Sequence, residues 1–229
     1  MAQTTLAMSA RNGVVEMATA FTLANGAANA AQKVITVDSS AGMLAGNTLE
    51  YMLVGGVIEQ NAIDTVDSGT QVTMITNIGT GGIADNEQVT RIADISGTAN
   101  SVSVSGGNRV NGEAFTASGD TPLLTYGKRE PEEITVRAVY TETSITPEFY
   151  EELQTLYASG AGAGLRWSPT AYTAVNQKRF WTTDTTAAYI RPGIITAWNF
   201  PSLDFSSGDP ITCEFTVRSA AIGTTDHSA

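Results

Sequence analysis

Few residues in this chain are equipped for chemistry, and their positions argue against their acting together. His227 is the only histidine and lies near the C-terminal end, so a Ser-His-Asp or Cys-His arrangement would have to draw its base from a tail. Cys213 is the only cysteine. In Ile211-Thr212-Cys213-Glu214-Phe215-Thr216-Val217 it falls on the apolar side of an alternating run, the place of a small packed hydrophobe and not of a reactive thiol. Glu132-Glu133 and Glu151-Glu152 offer carboxylates of the kind that glycoside hydrolysis pairs. Adjacent acids at a strand entrance and on the wet face of a helix read instead as solvated charge. Gly160-Ala161-Gly162-Ala163-Gly164 imitates a phosphate loop, yet it follows a helical stretch instead of opening one, and no Lys-Ser/Thr comes after it. It reads as a helix stop and flexible turn. Asp64, Asp67 and Asp85 lack the spacing and the glutamate of a calcium loop, so neither a metal nor a cofactor is expected, and the chain reads as a non-enzyme. Trp167, Phe180, Trp181, Tyr189 and Trp198 could stack sugars or bases. Spread over several candidate strands, they are expected in the core or a subunit interface.

The elements that would position these residues are mostly strands. Charged residues make up only 15% of the chain while Thr, Ser, Ala and Gly abound, the makeup of short strands joined by turns. In Ile134-Thr135-Val136-Arg137-Ala138-Val139-Tyr140 the apolar side chains recur with period two, which predicts a half-buried antiparallel strand. Ile211 to Arg218 repeats the pattern, with Thr212, Glu214, Thr216 and Arg218 outward. Between them Thr146 can cap a helix over about 147–159 that Pro147 opens, Glu148 favours through the dipole and Gly160 ends. Phe149, Leu153, Leu156 and Tyr157 form its apolar stripe.

The organisation expected is an N-terminal arm and first strand over 1–31, which frays or finds a partner surface, and a small β-domain over 32–92. That domain is acidic: Asp38, Glu50, Glu59, Asp64, Asp67, Asp85 and Glu87 stand against Lys33 and Arg91. A β core with its helix fills 93–222, and 223–229 forms a flexible tail. Within the core, Ser105 to Asp120 reads as one long polar loop, of a length that usually signals function. The formal net charge of −11 excludes a protein that grips nucleic-acid phosphates through counterion release. A lone cysteine excludes an intrachain disulfide. No apolar run is long enough to span a bilayer and Met1-Ala2-Gln3-Thr4-Thr5 carries no basic leader, so a soluble protein without membrane insertion is expected.

The run "YGKREPEEITVRAVYTE", the helix "TPEFYEELQTLYASG", "GLRWSP" and the closing "RPGIITAWNFPSLDFSSGDPITCEFTVRSAAI" together resemble the phage major tail protein (tail tube) family. The likeness covers about half the chain, and "VITVDSSAGMLAGNTLEYMLVGG" resembles the small β-modules that recur in phage structural proteins. The resemblance implies a mainly β fold, a tail-tube-like β-sandwich or barrel with one flanking α-helix, plus a small inserted all-β domain. It implies a virion structural protein of the tail, assembled in the host cytoplasm as a homo-oligomer of hexameric rings stacked into a tube. DNA passes through such a tube without tight binding, and tape-measure and tail-tip or terminator proteins are its partners. On that reading the wet faces of the two best strands, Thr135, Arg137, Thr212, Glu214 and Thr216, line a lumen of net negative charge. Arg109, Val110, Phe115 and Asp120 of the long loop, with the N-terminal arm, reach the next ring. The alternatives are a capsid decoration or tail-completion protein and, from another class, a secreted carbohydrate-binding or adhesin module, against which the missing signal peptide counts.

Overall fold

The computed structural model describes residues 13–114, 123–140, 149–169, 178–183, 190–202 and 210–226. The strands of the first half are β1 (Val14–Leu23), β2 (Val34–Thr36), β3 (Thr48–Met52), β4 (Ile58–Ser68), β5 (Gln71–Met74), β6 (Gln88–Asp94) and β7 (Ala99–Gly106). After them come β8 (Arg109–Ala114), β9 (Leu123–Arg129), β10 (Glu132–Val139), the helix α1 (Phe149–Ser159), β11 (Gly162–Ser168), β12 (Lys178–Thr183), β13 (Gly193–Ser202), β14 (Thr212–Ser219) and β15 (Ala221–Asp226). The fold is mainly β with one helix, as the composition and the alternating runs predict.

Strands hydrogen-bond in the order β2-β5-β4-β3-β6-β1-β11-β13-β14-β10-β7, with β12 beside β11 and β15 beside β12. The segment from Ala24 to Val89 encloses a hydrophobic core of its own around Ile35, Leu49, Tyr51, Ile63, Met74 and Ile83. In it Tyr51 donates to Glu59 Oε1 at 2.6 Å, and burial followed by that bond pushes the phenol well above its ordinary value. A second core lies where β10, β13 and β14 face α1: Ile134, Val136, Leu153, Phe215 and Val217 are all fully buried. The sheet runs unbroken between the two cores, because β6 pairs with β3 on one side and with β1 on the other.

Three expectations are corrected here. From Val14 onward the N-terminal segment is no loosely held arm: β1 lies between β6 and β11, and Met17 and Ala18 are fully buried. Its small Ala and Thr side chains hide the strand signal because both of its faces are covered, which removes the polar alternation that marks a half-exposed strand. The glycine run is not a flexible turn throughout. Gly160, at φ +65°, does end the helix, but Gly162 and Gly164 belong to β11, and a Cβ on Gly164 would sit 2.3 Å from Ile190 Cγ2. The C-terminal tail begins later than expected, since β15 pairs with β12 through Asp226. Along α1, Leu153 and Leu156 are buried as the stripe predicts, whereas Tyr157 is exposed, and Thr146, Pro147 and Glu148 lie outside the described residues.

Candidate functional site

Four adjacent strands, β7, β10, β14 and β13, carry one continuous polar face. Alternation puts Ile134, Val136 and Ala138 of β10, and Cys213, Phe215 and Val217 of β14, into the core, so every intervening residue points the other way. Register then builds rows across the sheet. Ser105, Glu133 and Arg218 share one row, Ser103, Thr135 and Thr216 the next, and Ser101, Arg137, Glu214 and Asn199 a third. Thr135 and Thr216 are hydrogen-bonded through their hydroxyls at 3.0 Å, Arg137 donates to Thr212 Oγ1 at 3.1 Å, and Asn199 donates to Glu214 at 3.4 Å. Thr135, Arg137, Thr212, Glu214 and Thr216 are thus brought together on one surface, as their alternation predicts.

The charge on that face differs from the expected excess of negative charge. Glu133 and Glu214 are matched by Arg137 and Arg218, with Arg218 Nε 3.9 Å from Glu133. Both members of that pair are about half exposed, so it is worth little. The face is a charge-balanced, hydroxyl-rich surface, and the acidity of the chain resides elsewhere, with Asp38, Asp64, Asp67, Asp85 and Glu87 of the first half.

At the margin of this face β7 pairs with β10 only, so among the described residues its other edge carries no strand. Its eight residues, Ala99-Asn100-Ser101-Val102-Ser103-Val104-Ser105-Gly106, hold no charge and no proline, and nearly all are exposed. Gly106 and Gly107, at φ +83° and +70°, then turn the chain into β8. The segment expected as one long loop is in fact a hairpin: β8 pairs with β9, Asn111 opposite Tyr126 and Glu113 opposite Leu124, and this two-stranded sheet joins no other strand among the described residues. Arg109 and Val110 open β8, with Arg109 exposed, while Phe115 and Asp120 lie outside the described residues. The hairpin's base is fastened by Glu130 N–H donating to Asn108 O at 2.8 Å and by the Arg129–Glu132 ion pair.

The residues weighed for chemistry do not converge. Cys213 is buried, and desolvation raises its thiol pKa, so it is a packed side chain. Asp67 is held by the Thr73 and Thr65 hydroxyls at 2.6 and 2.7 Å, which lower its pKa in that order, while Asp85 accepts from Gly26 N–H at 2.7 Å. No group of His, Cys, Asp and Glu suited to a metal occurs among the described residues. Trp181 and Trp198 are buried, Trp167 stacks on Phe180 at 5.7 Å between centroids, and Tyr189 and His227 lie outside the described residues. Two acids expected in solvent are not there. Glu132 is buried against Arg129, and Glu152 makes two bonds to Arg91, at 2.5 and 2.9 Å.

Sequence reasoning also missed a buried ionic cluster at the seam between the two cores. Arg166 of β11, 3% exposed, reaches Glu16 of β1 through Nε at 2.6 Å and Glu50 of β3 through Nη1 at 2.5 Å. Gln60 of β4 donates to Glu50 at 3.1 Å and to Glu16 at 3.4 Å. The only signal available was a lone charge inside each apolar run, and the partners lie 116 and 150 residues apart in the chain. No helix among the described residues is long and apolar enough to cross a membrane. The chain matches no protein-family model, and no curated protein matches it significantly.

Proposed function

We propose that this chain is a self-assembling structural subunit of a phage virion, the major tail tube protein, which closes into hexameric rings that stack into a channel for DNA. The observation that carries the reading is the pair of incomplete β elements beside the polar face. A long, uncharged strand edge such as that of β7 is a template for pairing with another chain, and proteins that remain monomeric blunt such edges with Lys, Pro or a covering loop. An isolated two-stranded hairpin such as β8–β9 is marginal in water without a surface to pack on. Rotationally related copies supply both missing partners at once and close into a ring. The resemblance of the segments from Tyr126 to Ile222 to tail tube proteins points to the same architecture. A charge-balanced, hydroxyl-bearing face suits a lumen because it gives DNA phosphates too few cations to exchange for counterions. Tape-measure and tail-tip or terminator proteins are the partners that this reading requires.

The test is negative-stain electron microscopy of the purified protein, dilute and then concentrated, beside two variants. Ser103→Lys/Val104→Lys charges the β7 edge. The other removes 109–129 and joins Asn108 to Glu130, whose backbones already meet. Tubes with a central channel in the parent chain, and folded protein without tubes in both variants, are expected. Trimers or single rings at every concentration would transfer the assignment to a decoration or tail-completion protein, and tubes that survive both changes would refute the role of β7 and the hairpin.

A further inference from the structure

A cleft of about 800 Å³ opens between the helix α1, the middle of β1 and the turn at 39–44. That volume lies within the range of small-molecule sites. Its walls are mostly apolar, built from Ala20, Phe21, Met43, Leu44, Leu156 and Pro192. Two polar side chains interrupt them, and each carries an atom without a partner among the described residues: Thr19 Oγ1 and Arg91 Nε. Both residues are more than nine-tenths buried. Buried polar groups nearly always find partners, so two such atoms on one cleft wall call for an explanation.

The fold shows why neither finds one internally. Thr19 is the extra residue where the register of β1 against β6 shifts between Ala18 and Ala20, so its side chain drops out of the ladder's alternation. Arg91 is gripped at its far end, with Nη1 and Nη2 on the two oxygens of Glu152 and Nη1 also on Gly42 O at 2.8 Å. Held end-on in this way, the guanidinium cannot turn its Nε edge to another protein acceptor. Glu152 already neutralises it, and an incoming anion would meet that carboxylate as well.

We propose that this cleft binds a small, uncharged, largely apolar molecule that carries one hydrogen-bond acceptor, a ketone or amide carbonyl, which presses between Thr19 and Arg91 and takes the Nε–H. The apolar body fills the space between Leu156, Phe21 and Met43, and burial of that body supplies most of the affinity. The site is separate from the polar sheet face and from the hairpin, so it stands or falls apart from the assembly reading.

The experiment titrates dilute protein with prodan, an uncharged naphthyl ketone whose emission shifts to the blue in apolar surroundings, and with the anionic anilinonaphthalene sulfonate for comparison. Ala41→Trp and Ala161→Trp place bulk on opposite rims of the cleft at exposed positions, so both should fold, which circular dichroism checks. The expected result is saturable one-to-one binding of prodan with a blue shift, loss of that signal in both tryptophan variants, and weaker binding of the sulfonate. Non-saturable binding, or saturation that survives in both variants, would overturn the site. A sulfonate that binds as tightly as prodan would overturn the assignment to uncharged ligands.

Discussion

Arg166→Met is the most severe conservative change the fold allows, because one guanidinium serves two buried carboxylates. Methionine fills much of the same volume but removes the only cation described within bonding distance of Glu16 and Glu50, whose side chains are 9% and 4% exposed. Gln60 remains, and its amide cannot neutralise either charge. Breaking a buried ion pair from one side costs about 3–5 kcal/mol, chiefly the desolvation of the abandoned charge. With two carboxylates stranded, the upper end of that range is expected. That is a large fraction of the total stability, about 5–15 kcal/mol, of a typical domain. In a chain of this size the loss corresponds to a fall in Tm of about 6–20 °C. Urea unfolding should be followed by circular dichroism at low protein concentration, since assembly would add stability of its own. The triple variant Glu16→Gln/Glu50→Gln/Arg166→Met carries no charge at the seam and should regain at least half of the loss, as buried ionic triads often tolerate neutral replacement. A loss below about 1 kcal/mol in the single variant would refute the argument, because it would mean that the carboxylates were never dependent on Arg166.

Two further changes probe the packing around the same strands. Gly164→Ala would force a Cβ to within 2.3 Å of Ile190 Cγ2 and 3.1 Å of Arg191 O, so a loss of about 1–3 kcal/mol in urea unfolding is expected, whereas Gly69→Ala, with open space around it, should change stability by less than about 0.5 kcal/mol. Equal effects at the two sites would show that β11 has room to shift. Burial raises the Cys213 thiol pKa, so the stability it contributes is present below the thiol's unfolded value and is lost as pH rises through the folded one. In native protein at neutral pH Cys213 should react with a thiol reagent only as fast as the chain unfolds, and stoichiometric labelling of the folded state would contradict that placement.

Which parts of this molecule were legible follows from where each residue finds its partner. Strands β10 and β14 announce themselves because one face is wet and the other dry, so Ile134, Val136, Phe215 and Val217 alternate with Thr135, Arg137, Glu214 and Thr216 in the chain itself. The helix is equally local, its Leu153 and Leu156 one turn apart. Strand β1 is covered on both sides and loses that contrast. The Arg166 cluster and the Arg91–Glu152 pair join residues that only the sheet order brings together, and a charge with a distant partner reads in sequence like a charge in water.

Strands β7, β8 and β9 form a third class. Their polar, glycine-punctuated sequence resembles a loop because so little of it is buried by the rest of this chain: β7 is exposed along most of its length and β8 pairs only with β9. Extended strands cost backbone entropy that buried contacts normally offset. Strands that hold their geometry while burying little within one chain have a purpose where that surface is covered from outside. The weakness of their sequence signal and the openness of their edges therefore have one physical cause, the absence of an internal partner, and a second copy of the chain removes both.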